Sequence, residues 1–206
     1  MQPKKSKIFL FTAILSRSRI AVFFFFLFIV SACGRDYKNT TKVILNESFS
    51  ELMPALMKEL QARISTKGVK EAVSMCSEQA IPLTQQKEKE LFEKYKSKYG
   101  IKNLEIKRIS LKNRNAKNTP DPIEEKVLKS WTASKVEPVV MQEGKTYYGL
   151  TPIRIIQPLC LSCHGKETEI DPQVLSEIKK RYPADKATGY ILNELRGAFS
   201  VKIQYN

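Results

Sequence analysis

Apolar residues recur at spacings of three and four through residues 43–67, at Leu45, Phe49, Leu52, Leu56, Leu60 and Ile64. That period puts them on one face of a helix. Pro54 lies inside the run, where it lacks a donor and crowds the preceding turn, so a kink or a division is expected there, and Gly68 is expected to end the helix. Val69, Ala72, Val73, Cys76 and Ala80 carry the same offsets onward. They predict a second helix over 69–81 with Cys76 on its inward face, followed past Pro82 by a charged helical segment through Lys98.

From Ile101 the pattern shortens. Leu104, Ile106, Arg108, Ile109 and Leu111 suggest a strand, and the following NRNAKNTPDP is a loop in which Asn115, Asn118 and Asp121 have a shaping role. Asp121-Pro122 then opens a short helix over 123–134, with proline at an early helical position. Residues 137–142 and 146–156 flank Glu143-Gly144-Lys145 as a hairpin; 172–182 reads as a helix and 196–203 as a last strand. Helices first and an interrupted antiparallel sheet afterwards define an α+β fold. There is no internal repeat or low-complexity tract.

The N-terminus follows different rules. Residues 1–19 are basic, 20–30 read IAVFFFFLFIV, and Ser31-Ala32-Cys33 follow at once. A basic start, a short apolar run and small residues make a signal peptide over 1–32, with an uncleaved membrane helix as the alternative. Val30-Ser31-Ala32-Cys33 resembles the lipobox of bacterial lipoproteins, which makes Cys33 a lipidation site, and residues 33–42 a tether to a domain over 43–206. Gly34 is not the aspartate that, by the same resemblance, retains lipoproteins at the inner membrane. The expected location is therefore the periplasmic side, anchored by lipid at the outer membrane.

The chain has 206 residues, 27% charged and 42% hydrophobic, which is the balance of an ordinary globular protein. Its net charge of +14 falls to +9 once the five leader cations Lys4, Lys5, Lys7, Arg17 and Arg19 are removed. The remaining excess lies beside glutamates in stretches such as KEKELFEKYKSK, a solvated helix face rather than a nucleic-acid surface.

The chemistry is concentrated in Cys160-Leu161-Ser162-Cys163-His164. Two cysteines three apart with histidine next form the attachment pattern for one c-type haem: each thiol adds to a vinyl group, and His164 supplies an axial imidazole. His164 is the only histidine, so one site means one haem. A Cys₃His zinc site with Cys76, a redox dithiol and a structural disulfide are the competing readings. Of four cysteines, lipid takes Cys33 and haem takes Cys160 and Cys163, leaving Cys76. It is either a buried small hydrophobe or a distal iron ligand, with Met53, Met57, Met75 and Met141 as rivals and a five-coordinate iron also open.

GVKEAVSMCSEQA (68–80), IKRISLKNRNAKNTPDPIEEKVL (106–128), CLSCHG (160–165) and RYPADKATGYILNELRGAFSV (181–201) together resemble exported monohaem c-type domains of the cyanobacterial Tll type. The resemblance implies a PAS-like fold and haem iron held between His164 and Cys76, a thiolate that lowers the potential. Asn193-Glu194 departs from the Gly-Asp expected before Arg196, which puts the turn there in question. Arg108, Arg114 and Arg196 are candidates for pairing haem propionates, because guanidinium matches a carboxylate. One-electron transfer by a membrane-tethered cytochrome-like protein is the expected function, and a haem-based redox or small-ligand sensor is the alternative. No enzymatic activity is expected. Since no transmitter follows Asn206, either role calls for a separate redox or signalling protein.

Overall fold

The structure, a computed structural model, describes residues 36–131 and 136–206. The leader, Cys33 and the proposed signal peptide lie outside the described residues, as do residues 132–134 of the helix expected over 123–134; the described helix stops at Ser130, where Trp131 turns to extended backbone. Among the described residues no helix is long and apolar enough to cross a membrane.

Residues Tyr37–Asn206 form one compact unit. Its elements are α1 (Tyr37–Glu78), α2 (Ala80–Tyr99), β1 (Ile101–Ile109), a 3₁₀ turn (Ala116–Asn118), α3 (Pro122–Ser130), β2 (Val139–Glu143), β3 (Thr146–Arg154), α4 (Pro158–His164), α5 (Pro172–Arg181) and β4 (Leu195–Tyr205). The four strands make one antiparallel sheet in the order β1-β4-β3-β2, with the N-terminal helices packed on it in a PAS-like arrangement, so the α+β expectation holds.

One sheet face presents Leu104 and Ile106 of β1 with Phe199, Val201 and Ile203 of β4, and it buries them against Ile44, Leu45, Leu52 and Leu56 of α1 and Leu91 and Tyr95 of α2. Each such side chain contributes roughly 1.5–3 kcal/mol. Gly149 lies on this face opposite Val201, and a Cβ there would meet Leu45 at 3.2 Å; its lack of a side chain lets α1 come close. The other face packs Ile109, Leu150 and Ala198 against Val127 and Leu128 of α3. Glu124, fully buried, hooks α3 onto that face: its carboxylate accepts from Ser200 Oγ at 2.6 Å and from the Asp121 amide at 2.8 Å, closing a capping box.

Two helix boundaries differ from expectation. The backbone runs helically through Pro54, and the one non-helical residue within α1 is Gly68, at φ 82° and ψ 170°. Pro54 and Ser50 both face solvent, which leaves the carbonyl whose donor the proline lacks on the hydrated side of the helix, whereas the positive φ at residue 68 needs glycine. The helix also starts at Tyr37 rather than Val43. Tyr37 stacks on Tyr205 at 4.1 Å and Thr41 Oγ1 lies 2.9 Å from the Tyr205 hydroxyl, so 37–42 belong to the folded body rather than to a tether.

Candidate functional site

α4 starts with Pro158 at a first-turn position, where a missing donor costs nothing, and stops at Gly165. A Cβ on Gly165 would sit 2.7 Å from the Leu161 carbonyl, so the tight exit demands glycine. Offsets of three and four put Cys160, Cys163 and His164 on one side of this short helix. Residues 159–164 are all half-buried, so the motif sits at the margin of the core rather than inside it. Cys160 packs toward Ile155, Ala187 and Tyr190, and Cys163 toward Val73 of α1, Ile178 of α5 and Tyr182 just past its end.

The loop between α5 and β4 aims the histidine. His164 Nδ1 lies 2.7 Å from the Ala187 carbonyl oxygen. A carbonyl only accepts, so Nδ1 carries the proton and the Nε2 lone pair is left for a ligand role. Burial, with the Arg196 and Arg114 charges, holds the imidazole well below its usual pKa, so it is neutral at physiological pH. The Gly189 amide donates to the Gly165 carbonyl at 2.7 Å and the Tyr190 amide to the His164 carbonyl at 2.9 Å, stitching the loop to the end of α4. The Tyr190 ring stands edge-on to the imidazole at 6.2 Å.

The three arginines have separate roles. Arg114 is the brace: its Nε and Nη2 donate to the two Asp185 oxygens at 3.1 Å each, and Nη2 also reaches the Cys163 carbonyl at 2.6 Å and the Ala187 carbonyl at 3.2 Å. Asp185 Oδ1 in turn accepts from the Ala187 amide at 2.8 Å. Arg114 is thus spent on holding the motif and its histidine anchor together.

Arg196 is aimed by a β-bulge. The β3–β4 register shifts at Arg154, and Gly197 has φ 156° where a Cβ would fall 2.1 Å from the Ile109 carbonyl. The bulge turns the Arg196 side chain toward Ser110 Oγ at 2.8 Å and the Lys112 carbonyl at 3.0 Å, with its guanidinium 5.3 Å from the Tyr190 ring centroid.

Arg108 differs from both. It continues the Leu104 and Ile106 side of β1, yet its side chain donates no hydrogen bond and joins no ion pair among the described residues. Burial pushes its pKa down, while Cys76 and Tyr182 beside it act in the opposite sense. A half-buried guanidinium without a carboxylate is a costly arrangement unless something anionic meets it.

Cys76 joins this constellation from α1. Burial raises its pKa, and Arg108 and Arg114 partly oppose the rise. Burial likewise lifts Cys163 to about 11, with Arg114 opposing and Cys76 adding to it. Cys76, Cys163, Arg108, Arg114 and Tyr182, drawn from five parts of the chain, therefore share one environment. Two rival ligands are placed elsewhere: Met53 packs against the α1–α2 core and Met141 against α3 on the opposite face of the sheet. Among the described residues no three His, Cys, Asp or Glu side chains converge as a metal-holding cluster, so a closed zinc site is not assembled.

The questioned turn forms without glycine. Asn193 takes φ 67°, a conformation asparagine tolerates, its amide donates to the Ile155 carbonyl at 2.7 Å, and Glu194 Oε2 accepts from the Ile191 amide at 3.0 Å. Sequence reasoning missed Asp185, Ala187, Tyr190 and Ser110 as working residues. The segment RYPADKATGY carried the signal, but pairing Arg114 with a carboxylate 71 positions away is visible only in three dimensions.

A PAS-like α+β domain with paired thiols and an imidazole on one short helix, and a lone thiol on α1, defines the class. Residues 37–204 match the Tll0287-like family profile, and the chain belongs to that family. Among solved structures it is similar to one described as the crystal structure of the cyanobacterial heme-protein Tll0287, at 20% identity over 74% of this chain and 92% of that one, with a TM-score of 0.48. No curated protein matches.

Proposed function

We propose that this chain is a haem-based redox- or ligand-responsive module, with one haem c joined to Cys160 and Cys163 and with His164 and Cys76 as axial ligands. One observation carries the reading: the sole imidazole turns Nδ1 into the Ala187 carbonyl and keeps Nε2 free, directly beside the paired thiols. The donor set fits the group, since two thiols make thioethers, a neutral imidazole binds iron, and Arg108 lacks an anion. Membership in a family whose namesake is described as a heme-protein supports it further. Bound haem supplies an iron that changes charge by one electron and accepts a sixth ligand.

The chain's own part is a switchable thiol. Burial disfavours the Cys76 thiolate, so a cation opposite Sγ is needed to keep it ionised. Loss of one unit of that positive charge favours a proton on Sγ and release of the sulfur. Cys76 stands on the segment 69–78, joined to 37–67 through Gly68, so release of the sulfur frees a short helical piece at a glycine joint. This position favours sensing over simple electron transfer as the main role. The proposal includes a lipid on Cys33, a place on the periplasmic side at the outer membrane, a separate redox or signalling partner, no nucleic acid and no catalytic turnover.

The test is the mass of denatured protein made together with haem-attachment machinery. Haem retained after denaturation on the peptide that holds Cys160 and Cys163 is expected; a haem-free peptide with both thiols alkylatable would contradict the reading.

A further inference from the structure

The end of the domain opposite the Cys160–His164 motif gathers tyrosines. Tyr37 opens α1 and stacks on Tyr205 of β4 at 4.1 Å, and Tyr147 of β3 stands edge-on to both, at 5.6 and 5.3 Å. Tyr99 closes α2 next to them: the Asn206 amide donates to the Gly100 carbonyl at 2.9 Å, and Ile101 pairs with Tyr205. All these rings are half-buried, so each keeps part of its surface in water. Exposed lysines accompany them. Lys38 and Lys42 stand on the first two turns of α1, Lys102 on β1 next to Ile101, and Lys145 in the β2–β3 hairpin beside Thr146. None of these lysines joins an ion pair among the described residues, and Lys98 lies over the Tyr99 ring at 4.9 Å. The acids in the same segments are Asp36 and Glu143, so positive charge is in excess at this end.

We propose that this tyrosine-and-lysine end is a docking face for the surface of an anionic lipid bilayer. The inference rests on the membrane attachment proposed above, and it holds for a lipid on Cys33 and for an uncleaved apolar leader alike. Only three residues separate Cys33 from Tyr37, where α1 begins. The chain between them reaches no further than about 14 Å. Because residues 37–42 are folded into the domain rather than strung out as a tether, the end that carries Tyr37 stays at the bilayer surface. Its side chains suit that place: a tyrosine ring has an apolar body and a polar tip that match the headgroup level, and a lysine ammonium meets lipid phosphate. β3 runs from Thr146 at this end to Arg154, bonded to the Asn193 carbonyl, at the other, a span of roughly 25–30 Å at the rise of a strand. The motif on α4 follows that far end, so docking keeps it off the headgroups and open to a partner from the aqueous side.

The experiment places the full chain, isolated from membranes, in vesicles of phosphatidylcholine alone or of equal parts phosphatidylcholine and phosphatidylglycerol. Floated vesicles are treated with a water-soluble amine-acylating reagent, and the labelled lysines are located by mass spectrometry. Labelling of Lys38, Lys42, Lys102 and Lys145 should fall about fivefold in the anionic vesicles relative to the neutral ones, while the exposed Lys180 and Lys186 on the motif side label equally in both. Lys38→Gln combined with Lys145→Gln should restore the labelling of Lys42 and Lys102. Equal labelling of the Tyr37-end lysines in the two kinds of vesicle would overturn the assignment. So would protection in both kinds that grows with protein density, which would make this end an interface between two copies of the chain. Flotation separates the two levels: a chain that does not float with neutral vesicles overturns the membrane attachment and the docking face together, whereas a floating chain with unprotected lysines overturns the docking face alone.

Discussion

The helix-covered sheet face is built in two ways along one strand. At one end Leu104 and Ile106 meet Leu52, Leu91, Phe199 and Val201 in a closed apolar core. Two residues further, on the same side, stands Arg108, whose charge and that of Cys76 influence each other, and Cys76, Arg108, Cys160, Cys163 and His164 are all half-buried. A core that ends in a lone guanidinium, thiols and a neutral imidazole is not unfinished packing. Among its polar members His164 is held by the loop carbonyl of Ala187, and the Cys163 backbone is held by Arg114, so a rigid scaffold positions the motif.

Perturbing the two ends should therefore separate stability from site chemistry. Phe199→Ala, in the closed end, removes a fully buried ring and should cost about 3–5 kcal/mol in urea unfolding, while the folded fraction keeps its visible spectrum. Asp185→Ala, beside the motif, strands Arg114 against the Cys163 and Ala187 carbonyls; a loss of about 3 kcal/mol is expected, this time with an altered spectrum because the His164 anchor loosens. Gly197→Ala forces a Cβ onto the Ile109 carbonyl and should cost about 2–3 kcal/mol, again with a spectral change, as Arg196 loses its bulge.

The haem-free chain adds a pH arm. His164 is held below its ordinary value of 6.5, so above about pH 6.5 both states carry a neutral ring and stability is intact. As pH falls below that, the unfolded state takes up a proton that the folded state refuses, and stability should decline until the folded pKa is reached. His164→Gln should flatten this decline; an equal decline in the variant would place the acid sensitivity elsewhere. The smallest effect on stability belongs to Cys76→Ala in the same haem-free form, about 1 kcal/mol or less, since the side chain is small and half-buried.

The closed end was largely legible in the sequence, because its signals are periodic: the three-and-four spacing of α1 and the alternation of β1 each name a buried face without knowledge of the partner. At the other end the local signal was the Cys160-Leu161-Ser162-Cys163-His164 motif alone. What held the motif in place was not, since Arg114–Asp185, His164–Ala187 and Arg196–Ser110 join residues 23 to 86 positions apart and follow from loop closure rather than from any local pattern. Pro54 shows the limit in the other direction: a strong local breaker stayed inside a helix because its face is solvated and the buried face on both sides of it continues.

The central claim is that Cys76 and His164 serve one iron. Electron paramagnetic resonance of the ferric protein beside Cys76→Ala tests it most directly. A low-spin signal with thiolate character in the native protein, lost in the variant while covalent haem remains, is the predicted result; an identical signal from both proteins would contradict it and return Cys76 to the core.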